Sequence, residues 1–143
     1  MRLWYNDGMR ILLIDDDRSL RFVPAAAEVI VARTSAAALK VLEKDIDFWD
    51  EVWFDHDLGL LSDGKEDDTL PVLSHFSYLA VQDTPVPVGK LYVHTGNNVG
   101  QKALVDGFRR YGYRPIVGVD LKSAFVVPEK DTVVFQRGWD NRV

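Results

Sequence analysis

The chain is marked by short apolar runs that stop abruptly at acidic or polar residues. Residues 11–14 form the first run, which lies between Arg10 and Asp15. A short run of this kind is typical of a strand that is buried on both faces of a sheet. Similar runs follow later in the chain, at residues 28–32, 52–54, 91–93 and 116–119. The pattern predicts five strands in a mostly parallel sheet.

Helical spacing lies between these runs. Residues 36–43 follow Thr34, a good N-cap residue, and carry strong helix formers. Residues 69–81 and 101–111 place apolar side chains at spacings of three and four, and Gly112 is a natural stop for the last helix. Strands that alternate with helices indicate an α/β fold with right-handed crossovers.

One connection departs from this alternation. The stretch at residues 18–27, between the first two strands, is short and interrupted by a proline, so it predicts a loop or a single turn. Residues 133–135 predict an extra strand near the end of the chain. We interpret residues 1–143 as one domain, with a core at about 10–120 and a C-terminal extension at 121–143.

The composition excludes several classes of site. The 143 residues include no cysteine, which rules out disulfides, thiolate zinc sites, iron–sulfur clusters and cysteine nucleophiles. A net charge of −5 gives no general attraction to nucleic acid or to anionic membranes, so we expect no DNA binding. We see no signal peptide and no membrane span, and we expect a cytoplasmic protein.

Ionisable side chains follow the predicted strands, and ligands in open α/β sheets bind beyond the carboxyl ends of the strands. Asp15, Asp16 and Asp55 are expected to lie within a few ångströms of one another. An acidic residue after a strand more often only solvates a loop, but here separate loops bring several of them to one edge. Carboxylates this close raise each other's pKa unless a cation neutralises them, and Mg²⁺ with oxygen ligands suits that role.

The same edge also has features that suit a phosphate. Residues 94–98 lead into a helix, whose first N–H groups can bind an anion together with the hydroxyl of Thr95. His56 and His94 can act as acid and base across a phosphodiester, because imidazole titrates near neutral pH. Arg18 can hold phosphate oxygens with two hydrogen bonds. His75 lies within a predicted helix, and we interpret it as structural.

Three segments carry a resemblance to a known family. Residues 13–18 (LIDDDR), 54–59 (FDHDLG) and 93–100 (VHTGNNVG) resemble the DD-[ED]-R, DHDLG and H-[ST]-x-N-P-x-G segments of the cyclic-phosphate processing receiver-like domain. The likeness runs from about residue 10 to residue 111. It implies a receiver-like (flavodoxin-like), doubly wound, mostly parallel five-stranded sheet with a shortened first crossover. The chain departs from the family at Asn98, which stands in place of the usual proline.

The resemblance also implies roles for the residues at the sheet edge, with a divalent metal as cofactor, Mg²⁺ or alternatively Mn²⁺. The implied metal ligands are Asp15, Asp16 and Asp55, to which we add Asp57. The implied catalytic residues are His56, His94 and Thr95. The predicted phosphate contacts are Arg18, Thr95, Asn97 and Asn98.

Three functions remain open. The first is a metal-assisted phosphoesterase that acts on a cyclic nucleotide or on an RNA end with a 2′,3′-cyclic phosphate. The second is a phosphate-sensing receiver in which Asp55 accepts a phosphoryl group and Thr95 switches. The third is a binding or inhibitor protein that has kept the fold and lost the chemistry. A homodimer is an open alternative to a monomer.

Overall fold

The structure of the protein, a computed structural model, describes residues 8–127. The strand predicted at residues 133–135 and most of the C-terminal extension lie outside the described residues. In chain order the elements are β1 (Arg10–Ile14), β2 (Ser19–Leu20), β3 (Glu28–Ala32), α1 (Ser35–Lys44), β4 (Trp49–Phe54), β5 (Asp57–Leu60), β6 (Glu66–Asp68), α2 (Leu70–Val81), β7 (Val88–Val93), α3 (Asn98–Arg110), α4 (Leu121–Ala124) and β8 (Phe125–Val126).

The central sheet has four parallel strands in the order β3-β1-β4-β7. The predicted fifth strand at residues 116–119 is reduced to one parallel bridge, between Ile116 and Tyr92 on the outer side of β7. Pro115 has no N–H to donate, and Gly118 has a φ of 81°, so the chain cannot continue as a regular strand there. With Ile116 at the edge, the strand order follows the flavodoxin-like pattern expected from the sequence.

The helices lie close to their predicted positions. The Thr34 hydroxyl accepts a hydrogen bond from the N–H of Ala37 and begins α1. Helix α3 begins at Asn98, three residues before the predicted start, because the side chain of Asn97 accepts the N–H of Gly100. The shortened first crossover is confirmed, since residues 18–27 contain only the two-residue strand β2.

The two faces of the sheet are covered differently. Helices α1, α2 and α3 pack on one face, where Phe54, Phe76 and Phe108 form the centre of an apolar cluster. The other face carries a smaller cluster that includes Trp53 and Phe125. Short elements cover this second face, because the first crossover has no helix and β2 pairs with β8 instead. None of the helices among residues 8–127 is long and apolar enough to cross a membrane.

The segment after β4 forms a small antiparallel hairpin from β5 and β6. The buried carboxylate of Asp67 in β6 ties this hairpin to the start of α1. It accepts the backbone N–H of Ser35 at 2.8 Å and the hydroxyl of Ser35 at 2.5 Å. A negative side chain is favourable at this end of a helix, so the hairpin is fixed beside the carboxyl edge of the sheet.

Candidate functional site

Three ionisable side chains meet where neighbouring strands end. The register pairs Ile14 with Phe54 and Phe54 with Val93, so the next residue of each strand is Asp15, Asp55 or His94. The ladder continues one step further, since the Asp55 N–H donates to Ile14 and the His94 N–H donates to Phe54. Ligating atoms of Asp15, Asp55 and His94 lie within 4.8 Å of one another. The expected trio was Asp15, Asp16 and Asp55; the structure brings Asp15 and Asp55 together, with His94 rather than Asp16 as the third member.

Asp15 is completely buried, and four N–H groups donate to its carboxylate. Oδ1 accepts the backbone N–H groups of Asp17 at 3.0 Å and of Arg18 at 2.8 Å. Oδ2 lies 2.9 Å from Nε of Arg18 and 3.0 Å from Nε2 of His94. Burial alone would raise the pKa of Asp15, but the hydrogen bond from His94, the backbone hydrogen bond from Arg18 and the charge of Arg18 outweigh it and lower that pKa. Asp15 is thus held as the anion.

Arg18 joins the two buried carboxylates. Its Nε donates to Asp15, and its Nη2 donates to Oδ2 of Asp55 at 3.0 Å. The guanidinium carbon lies 5.1 Å from the centre of the Phe125 ring, and the side chain is only 19% exposed. The predicted phosphate contact is therefore also the cation that neutralises the carboxylates.

Asp55 differs from Asp15 although the two are neighbours. Its Oδ1 accepts the N–H of His56 at 2.8 Å, and its Oδ2 accepts Arg18. Burial and the charge of Asp15 raise the pKa of Asp55 to about 7, against the smaller opposing effect of Arg18. Two carboxylates this close share one guanidinium, so the site favours one anion and one carboxyl that titrates near neutral pH.

His94 is buried beneath an aromatic ring. Its ring centre lies 4.5 Å from that of Phe125 and 5.9 Å from that of Trp53, and its side chain has no exposed surface. Because Asp15 is an anion, Nε2 is assigned as the protonated nitrogen, and Nδ1 has no hydrogen-bond partner within residues 8–127. Burial lowers the pKa of His94 in spite of Asp15. The ring is therefore neutral near pH 7.

The ring of His56 lies at the start of α3. Its ring packs against Gly100 so closely that a Cβ on that residue would lie 2.4 Å from the ring carbon Cγ. Nδ1 is 3.0 Å from Oδ1 of Asp57, and Nδ2 of Asn97 donates to Oδ2 of the same carboxylate at 3.1 Å. These two hydrogen bonds lower the pKa of Asp57. His56 is thus held at the N-terminus of a helix, with its side chain 14% exposed.

The remaining predicted residues lie around this arrangement. The Thr95 hydroxyl accepts the N–H of Asn97 at 3.1 Å, and Asn98 is the exposed first residue of α3. The side chain of Asp16 packs against Gly59, so that a Cβ on Gly59 would lie 2.9 Å from Oδ2 of Asp16. Burial, followed by the charges of Asp17 and Asp15, raises the pKa of Asp16.

The predicted metal ligands do not form one cluster. Among the described residues, the carboxylate and imidazole groups close enough to share an ion are Asp15 with Asp55 and His94, and Asp15 with Asp16 and Asp17. Asp57 belongs to neither group, because its two oxygens face His56 and Asn97. Carboxylate oxygens suit Mg²⁺ chemically, but the carboxylate of Asp15 has no free lone-pair position with which to bind a metal ion. Each of its oxygens already accepts two N–H groups, which fills the lone-pair positions of a carboxylate.

Three residues that the sequence did not indicate complete the site. Arg33 donates to the backbone oxygens of Asp15 and Arg18 and thereby holds the turn after β1. The buried hydroxyl of Thr69 donates to the backbone oxygen of Asp55 at 2.6 Å. Arg33 directly follows the second predicted strand, so a survey of strand ends that included this strand would have found it. The third residue is Phe125, which packs on His94 and Arg18. It follows no predicted strand, so the sequence gives no indication of its place in the site.

A model of the cyclic-phosphate processing receiver domain matches residues 10–110, which span β1 to α3 and include every predicted site residue. Searches of curated proteins and of solved structures found no match. The match covers more than half of the chain and agrees with the parallel sheet of the structure. The chain therefore belongs to the cyclic-phosphate processing receiver domain family.

Proposed function

We propose that this domain is a phosphoesterase that opens a cyclic phosphate at the carboxyl edge of its sheet. The substrate class is a cyclic nucleotide or an RNA end with a 2′,3′-cyclic phosphate. The observation that carries the proposal is the position of His56, which is fixed by Asp57 and Gly100 at the N-terminus of α3. This position brings an imidazole beside a ready anion-binding end of a helix.

The start of α3 supports the binding of the phosphate. The N–H of Gly100 is capped by Asn97, and the N–H of Gln101 donates to the Asn97 backbone oxygen. The N–H groups of Asn98 and Val99 have no hydrogen-bond partner among residues 8–127, as is usual for the first turn of a helix. Two unpartnered N–H groups and the positive end of the helix dipole favour an anion at this place.

The proposed reaction is a hydrolysis. The oxygen of a water molecule forms a bond to phosphorus, and one ester P–O bond of the ring breaks. One histidine takes the proton that the water loses, and the other supplies the proton that the leaving ribose oxygen gains. Acid–base catalysis of this kind typically contributes 10²–10⁴-fold to the rate.

The two histidines differ in what they need for these roles. The side chain of His56 is partly exposed, whereas the side chain of His94 is fully buried and donates to Asp15. Direct proton transfer by His94 therefore requires that Phe125 move away from it. A bound divalent ion would stabilise charge on the phosphate, but no step above depends on one.

The receiver alternative is less well supported by the geometry. A phospho-accepting aspartate needs an accessible carboxylate, whereas Asp55 is 6% exposed and both of its oxygens accept hydrogen bonds. Its raised pKa also reduces the fraction that is an anion at neutral pH. A stable beryllofluoride adduct on Asp55 would favour this alternative over the esterase.

The test is a panel of 2′,3′-cyclic and 3′,5′-cyclic nucleotides incubated with the purified full chain, with the products separated by chromatography. We expect ring opening of at least one substrate, and we expect His56→Ala to reduce the rate by 10²-fold or more. The matched control is His75→Ala, which removes a histidine from α2 on the helical face of the sheet. Equal rates in the wild type and His56→Ala would refute the proposed mechanism. Absence of turnover on the whole panel would favour the binding protein.

A further inference from the structure

We infer that the guanidinium of Arg18 is the resident cation of this site, in the place that the carboxylates would otherwise offer to a divalent ion. The inference deepens the proposed function. Only one consequence rests on that function, namely that turnover needs no added metal. It starts from the contacts of Arg18, which reach Asp15 through Nε and Asp55 through Nη2. These two contacts place one positive charge between two buried carboxyl groups.

The carboxylate of Asp15 is already saturated with hydrogen-bond donors. A carboxylate offers about four lone-pair positions, and four N–H donors lie within 3.0 Å of the oxygens of Asp15. Both groups of potential metal ligands among residues 8–127 include Asp15. A metal ion at either group would therefore have to displace an N–H donor from a completely buried oxygen.

Arg18 also supplies the countercharge of the site. Its guanidinium lies 2.9 Å from Oδ2 of Asp15 and 3.0 Å from Oδ2 of Asp55, so a positive charge already stands between the two carboxyl groups. A divalent ion bound to the same carboxylates would lie beside the guanidinium, and like charges in a buried site repel strongly. Binding of the ion and the present position of Arg18 are therefore mutually exclusive.

Arg18 is held in its position by its surroundings. Arg33 donates to the backbone oxygens of Asp15 and Arg18, and its Nη2 lies 3.2 Å from the hydroxyl of Ser19. The Phe125 ring covers the guanidinium from the side of β8. If Arg18 withdrew from the carboxylates, both of its charged hydrogen bonds would break, and the face of the Phe125 ring that it covers would be exposed. Its Nη1 has no hydrogen-bond partner in the described part of the chain, which leaves one nitrogen to contact a bound phosphate.

The experiment measures metal binding in the absence of substrate. Mn²⁺ is titrated into the full chain and followed by electron paramagnetic resonance, with Mg²⁺ titrated in parallel by calorimetry. We expect no saturable binding to the wild type at millimolar metal, and one site in Arg18→Met, because this variant leaves the carboxylates without a countercharge. The control is Arg21→Met, since Arg21 contacts only backbone oxygens of residues 122–125 through its side chain.

A second measurement uses the wild type alone and does not depend on the folding of a variant. The Nε–H resonance of Arg18 in a ¹⁵N–¹H spectrum should remain unchanged when millimolar Mg²⁺ is added. The inference would be overturned if the wild type bound one ion saturably and Asp15→Asn did not. It would also be overturned if the Arg18 resonance shifted when Mg²⁺ was added. Neither readout involves catalysis. An inactive protein that binds no metal would therefore refute the proposed function and leave Arg18 as the resident cation.

Discussion

Replacement of Asp55 by asparagine should change how the stability of the protein depends on pH. Burial and the charge of Asp15 raise the pKa of Asp55 from 3.8 to about 7 in the folded state. Because the folded-state pKa lies above the unfolded one, the folded protein binds this proton more tightly. The stabilisation is complete below about pH 3.8 and is lost as the pH rises to about 7.

The size of the effect follows from the shift. Roughly 3 pKa units at 1.36 kcal/mol each correspond to about 4 kcal/mol across the whole window. Roughly 3 kcal/mol of this lies between about pH 5 and about pH 8, where most proteins can be handled. Asparagine keeps the shape of the side chain and cannot ionise, so Asp55→Asn should lack this pH dependence.

The assay is urea unfolding of the wild type and of Asp55→Asn at several values of pH. The free energy of unfolding of the variant, relative to the wild type, should rise by roughly 3 kcal/mol from about pH 5 to about pH 8. Asp106→Asn is the control, because Lys102 lowers the pKa of that exposed residue and its loss cannot produce the same trend. A difference that stays constant, or that falls with pH, would refute the account of Asp55. Either result would mean that the folded protein does not bind the Asp55 proton more tightly than the unfolded chain does.

Two further predictions concern the surroundings of the histidines. Gly100→Ala would place a Cβ 2.4 Å from the ring of His56, so we expect cyclic-phosphate turnover to fall at least tenfold with the fold intact by circular dichroism. Gly96→Ala, where the added Cβ meets nothing within 4 Å, should keep the wild-type rate, and equal rates in both variants would contradict the proposed position of His56. Phe125→Ala should expose the ring of His94 and raise its pKa toward 6.5, measured by NMR titration, at a cost of about 3–5 kcal/mol in stability. An unchanged pKa would show that Phe125 is not the group that buries this ring.

The sequence predicted the framework of the site because that framework depends on local pattern. Each buried strand is a short apolar run, and the residue after it must lie at the carboxyl edge of a parallel sheet. Asp15 and Asp55 therefore meet, and His94 joins them from the third strand, whereas the expected third member, Asp16, groups with Asp15 and Asp17 instead. The same pattern failed at residues 116–119, where apolar character suggested a strand and the backbone limits of Pro115 and Gly118 prevented one.

The finer arrangement could not be predicted, because it depends on which partner each side chain takes. The sequence predicts Asp57 as a metal ligand, yet its oxygens face His56 and Asn97. The sequence predicts Arg18 as a phosphate contact, yet its nearest anions are carboxylates of its own chain.

Long-range packing sets the burial of the second histidine. Phe125 lies 31 residues after His94 and beyond the part of the chain that matches the family. It reaches His94 because β8 pairs with β2, directly after Arg18. A two-residue strand of this kind has no periodicity that a sequence could reveal.

The central claim is that this site opens a cyclic phosphate. The most direct measurement is the ³¹P NMR spectrum of a 2′,3′-cyclic mononucleotide incubated with the purified full chain, recorded over time beside the His56→Ala variant. The account predicts that the signal of the cyclic diester is replaced by that of a phosphate monoester in the wild type and persists in the variant. A cyclic signal that persists in both samples, or disappears equally fast in both, would contradict it.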